Sequence, residues 1–78
     1  MDPLHLLTAR ERQVLPLLAG GAFSREIAAS IGISAITVGL HRAHLLKKLG
    51  LRNNAELARW AIAHHVIGLD GKPLAGNP

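Results

Sequence analysis

The residues best suited to chemistry in this 78-residue chain are crowded into one stretch. Residues 34–54 carry Arg42, Lys47, Lys48 and Arg52 and no acid, and these cations equal the net charge of +4 of the whole chain. His41 and His44 lie among them and add charge when protonated. Cations strung along a short segment suit an anionic polymer, because each can meet a phosphate oxygen and release a counterion. The bland alternative for Arg42, Lys47 and Lys48 is an ordinary solvated helix face. Catalysis is a poorer fit. There is no cysteine, so no thiolate nucleophile, no Cys-ligated zinc and no sign of an oxidising compartment. His41 and His44 are three apart and His64 and His65 adjacent, but zinc needs three or four converging ligands, and neither an HExxH motif nor a Cys pair is present. No Gly-rich phosphate loop and no GxSxG elbow occurs, and the five acids are scattered. We expect no enzyme, no metal and no cofactor.

Something must position that basic stretch, and the elements are legible. The length fits one domain. Apolar residues are 49% and aromatics only 3%, which suits small, close-packed helices. No apolar run nears the roughly 20 residues of a membrane span and no signal peptide opens the chain, so a soluble cytoplasmic domain is expected. The predicted fold class is all-α: an arm over residues 1–5, a four-helix domain over 6–68 and a flexible tail over 69–78. Thr8 and Glu11 have capping-box spacing for a first helix, with Val14, Leu15 and Leu18 at helical period and Gly20-Gly21 at its end. Pro16 should kink it or break a turn. Ser24 is expected to cap a second helix bearing Ile27, Ala28 and Ile31, which Gly32 ends. Ser34 caps a third, over about 35–49, with Val38, Leu45 and Leu49 inward and His41 on the same side. Asn53 or Asn54 caps a fourth, with Leu57, Ala58, Ala61 and Ile62 buried, ending by Gly68.

The second and third helices carry the most specific spacing. Ala28 is small enough for two helices to approach closely. Gly32 can take positive φ in the turn, and Ile33 and Val38 pack the second helix across the first. This is the logic of a helix-turn-helix, which presents its second helix to the DNA major groove.

At this point the chain resembles a known family. Leu7-Thr8-Ala9-Arg10-Glu11-Arg12-Gln13-Val14-Leu15 is similar to an "LTxREREVL" opening, and Ser24-Arg25-Glu26-Ile27-Ala28 to "SNKEIA". Thr37-Val38, His41, Leu45, Lys48-Leu49-Gly50 and Ala55-Glu56-Leu57-Ala58 match "TVxxH…I/L…KLG…xELA". These blocks resemble the LuxR-type (GerE/FixJ-like) helix-turn-helix domain over about residues 6–67. The resemblance implies a four-helix domain that binds double-stranded DNA, usually as a homodimer through the fourth helix. Such domains commonly sit at the C-terminus of response regulators and quorum-sensing regulators, with RNA polymerase a further candidate partner.

The resemblance implies that Thr37 touches a phosphate, with Ser34 beside it at the helix N-terminus; the alternative for Thr37 is a bond to backbone alone. Family members often place Lys directly after "TV" and another basic residue four positions on. Gly39 and Ala43 stand there, and neither has a donor, so Arg/Lys-to-guanine readout is in doubt at both. Either Gly39 and Ala43 let the backbone approach the bases, with Leu40 or Ala43 against a thymine methyl, or the domain discriminates little. Arg42 can reach a base edge or a phosphate. Lys47, Lys48 and Arg52 suit phosphates, as does Arg25 across the groove, while Asn54 replaces an Arg of the family pattern. His41 reads as a packed, hydrogen-bonded histidine. Arg59, Trp60, Ala63 and His64 lie off the buried face of the fourth helix and are the candidate dimer contact; the alternative for Trp60 is to cover the edge of the core. The rival function is a helical protein-interaction module that has lost DNA affinity. About four phosphate contacts would make log K fall with log[salt] at a slope near −3 to −4 per domain; the rival gives no binding at all.

Overall fold

Each helix begins where a side chain takes over an orphaned backbone N–H. In the computed structural model, which describes residues 3–74, a 3-10 turn (Pro3–Leu6) leads into α1 (Ala9–Ala19), α2 (Ser24–Ile31), α3 (Ala35–Leu49) and α4 (Asn54–Ala63). Thr8 caps α1: its Oγ1 accepts from Glu11 N–H at 3.1 Å, and Glu11 Oε1 accepts from Thr8 N–H at 3.0 Å. Ser34 caps α3 through Thr37 N–H, and Asn53 rather than Asn54 caps α4 through Glu56 N–H. The expected cap of α2 is corrected. Ser24 is its first helical residue, Phe23 holds the cap position, and Glu26 reaches back to accept from Phe23 N–H at 2.8 Å.

The all-α expectation holds, with no strand among the described residues, only an isolated bridge between Ile67 and Pro73. α1 packs on α3 and α4, and α2 packs on α3. Between them lie Val14, Leu15 and Leu18 of α1, Ile27 of α2, Val38 and Leu45 of α3, and Leu57 and Ala61 of α4. Burying each large one contributes about 1.5–3 kcal/mol. Ala28 is buried where α2 meets α3, and Gly32, at φ 75°, turns the chain through residues 32–34 into α3. That conformation costs a side-chain-bearing residue and not glycine.

Three expectations change and one is sharpened. α1 runs unbroken through Pro16. α4 stops at Ala63, within the expected bound at Gly68, because His65 adopts φ 59° and lets Val66 N–H return to the Ala61 carbonyl at 2.8 Å. This closes the last turn in the manner usually left to glycine, and Val66 and Ile67 then enter the core from outside any helix. Finally, the described part of the expected tail folds back. Gly68 N–H donates to Lys72 O at 2.9 Å, and a Cβ on Gly20 would lie 2.4 Å from Gly71 O, so the turn is seated against the end of α1. At the other end Leu4 packs on the core and accepts from Arg12 Nε at 3.0 Å, so the described part of the expected arm is docked. Residues 1–2 of that arm and 75–78 of that tail lie outside the described residues.

Candidate nucleic-acid interface

α3 has two faces set by its 3.6-residue period. Val38 and Leu45 are fully buried against α1 and α2, and Leu46 is buried beside them, while Leu49 and His41 are half-buried. At about 100° per residue, Ile36, Gly39, Leu40, Ala43 and Lys47 then fall on one stripe opposite Val38 and Leu45. All five are exposed, Ile36 at 79% and Leu40 at 55%. A Cβ placed on Gly39 would meet nothing within 4 Å. At the head of the helix, Ser34 Oγ lies 2.9 Å from Thr37 Oγ1 and accepts from Thr37 N–H at 3.1 Å. Two hydroxyls therefore sit at the positive end of the helix dipole, where first-turn N–H groups have no intrahelical acceptor.

The cations divide. Lys47 is exposed on the stripe. Arg42 is half-buried at its flank, where its Nε donates to Asn54 Oδ1 at 2.7 Å. Arg25, at the start of α2, is exposed and lies over the Phe23 ring at 5.3 Å. The other two meet acids, Lys48 one from α1 and Arg52 one four residues further along the chain. Lys48 Nζ donates to Glu11 Oε1 at 2.7 Å, and His44 Nδ1 lies 3.9 Å from the other oxygen. Arg52 binds Glu56 three times: its Nε and Nη2 donate to Oε2 at 3.1 and 2.9 Å, and its backbone N–H donates to Oε1 at 2.8 Å. The stretch free of acids in sequence is thus not free of them in space.

Glu11 is only 2% exposed. Burial pushes its carboxyl up, but the Lys48 hydrogen bond, the Thr8 N–H and the charges of Lys48 and His44 together outweigh that and hold it below its ordinary value. Glu56 is also held down, by Arg52, though that pair is exposed to water and salt, where ion pairs contribute little.

On α4, Arg59, Ala63 and His64 are exposed and Trp60 is half-buried against the core edge. The Trp60 and His64 rings stack at 4.1 Å and 20°, and His64 Nδ1 lies 2.9 Å from the Trp60 carbonyl. Among the described residues no three His, Cys, Asp or Glu side chains converge on a metal position, and no helix is long and apolar enough to cross a membrane.

Sequence reasoning passed over two residues. Ile36 was legible in principle, being four before Leu40 and off the buried stripe. The second role of Glu11 was not, since its partner Lys48 lies 37 positions away.

Known proteins bear on this arrangement directly. Residues 5–61 match the family described as bacterial regulatory proteins, luxR family. The transcriptional regulatory protein UhpA of Escherichia coli (strain K12) is 57% identical over 58 residues, covering 74% of this chain and 28% of UhpA. The oxygen regulatory protein NreC of Staphylococcus aureus (strain JH9) is 41% identical over 66 residues, covering 85% of this chain and 30% of NreC. The chain therefore spans less than a third of the length of these relatives. With a helix-turn-helix in the structure and this match over most of its length, the chain belongs to the LuxR family of bacterial regulatory proteins.

Proposed function

We propose that the chain is the DNA-binding domain of a bacterial transcriptional regulator, acting in the cytoplasm, with α3 laid in the major groove. The observation that carries this is the outward stripe of α3: an unpartnered helix face anchored from behind by Val38 and Leu45, with cations at its edges. In this reading Ile36, Gly39, Leu40 and Ala43 face base edges. Thr37 and Ser34 meet a phosphate at the helix N-terminus. Lys47, Arg42 and Arg25 meet phosphates on either side of the groove. Lys48 and Arg52 act mainly inside the domain, holding Glu11 and Glu56. A second copy pairs through Arg59, Trp60, Ala63 and His64 of α4, setting half-sites about one helical turn apart.

Titrating salt against binding to duplex DNA tests this reading. Three cationic phosphate contacts give a slope of log K against log[salt] of about −3 per domain, less steep than the full cluster would give. Lack of binding to any duplex at low salt overturns the reading in favour of a helical interaction module.

A further inference from the structure

Resting on that reading, we infer that the outward stripe of α3 selects its duplex by apolar contact with thymine methyl groups, through Ile36 and Leu40, with Gly39 as the point of closest backbone approach. In the major groove, guanine is read by paired donors of Arg or Lys, adenine by Asn or Gln, and thymine by its C5 methyl. The stripe offers no Arg, Asn or Gln, and its one donor side chain, Lys47, lies eleven residues and about 16 Å along the helix from Ile36. What it does offer is two large aliphatic side chains held in water at 79% and 55% exposure. The cations Arg25, Arg42 and Lys47 around them match a polyanion, which commits the patch to a duplex.

Gly39 supports the same conclusion from a separate direction. Gly21, Gly32, Gly50 and Gly71 have positive φ, and a side chain on Gly20 or Gly68 would strike neighbouring atoms. Gly39 has neither excuse: it sits inside a helix, where glycine is a poor choice, with open space beside it. The fold gives it no role, whereas a surface pressed against that face does, because a missing Cβ lets the backbone come nearer.

The test is to select a duplex from a random pool, then replace thymidine by deoxyuridine one position at a time and measure affinity by fluorescence anisotropy at fixed salt. Removal of a contacted methyl is expected to weaken binding about fourfold, the equivalent of one buried carbon. Ile36→Ala and Leu40→Ala, both at exposed positions, should each abolish the penalty at one position and leave it at the others. Gly39→Ala should fold at least as well and bind more weakly. A selected duplex indifferent to every uracil substitution, or one whose essential positions are all guanine, overturns the inference and leaves the DNA-binding reading standing. Failure to bind any duplex overturns both.

Discussion

Lys47 and Lys48 are consecutive and chemically identical, yet they belong to opposite economies of the same helix. A step of about 100° puts Lys47 on the outward stripe and turns Lys48 toward α1, where it holds a carboxylate that is almost wholly buried. One side of α3 is left open to a partner while the other is tied to the fold. The charge on a helix therefore says little about its use until the tertiary neighbours of each side chain are known. Arg52 sharpens the lesson. Its contact with Glu56 is as short as many buried ones, but it lies in water, and distance alone does not make it strong.

The largest effect should come from cutting the tie between the exposed Lys48 and the buried Glu11 carboxylate. Lys48→Ala leaves the Glu11 carboxylate with the Thr8 N–H as its remaining close donor and should destabilise the domain by about 3 kcal/mol in urea unfolding. Lys47→Ala, one residue away, should stay within about 0.5 kcal/mol of the parent. Equal losses would erase the distinction between the two faces.

Acid probes the same tie without mutation. The folded chain holds Glu11 ionised below its ordinary value of 4.5, so the unfolded chain takes up that proton more readily. The tie's contribution is present in full above pH 4.5 and is lost as pH falls through the depressed folded value. Glu11→Gln should therefore show a shallower loss of stability than the parent below pH 4.5; parallel curves would remove Glu11 from the account.

Gly39→Ala should raise stability by about 1 kcal/mol, since the site is helical and open. A loss would mean that Gly39 serves the free domain after all. For binding, Lys47→Ala should flatten the salt slope by about 1 and weaken all duplexes alike. Arg52→Ala should flatten it less, because Arg52 is already engaged by Glu56, and should barely move the urea midpoint. A larger slope change for Arg52 than for Lys47 would reverse the assignment of the two faces.

Much of the architecture was local enough to read directly. Thr8 with Glu11, Ser34 with Thr37, and Asn53 with Glu56 are pairs three residues apart, so their caps follow from short-range chain geometry. The turn at Gly32 is legible for the same reason. The end of α4 was not, because His65 took the conformation expected of a glycine, and the nearest glycine in sequence, Gly68, was used elsewhere. The docking of the segments at either end was not legible because they carry no period; Leu4 meets a core assembled by distant residues, and the turn at Gly71 lies against Gly20 at the end of α1.

Sequence by itself determined the four helices, the helix-turn-helix and the family, because periodicity, caps and motif spacing act over a few residues at a time. It also located the helix that carries the stripe. Only the tertiary structure decided that Lys48 is engaged, since Glu11 reaches it from α1 across 37 positions, and close electrostatic contact depends on distance through space; the Arg52–Glu56 pair, four residues apart, is local.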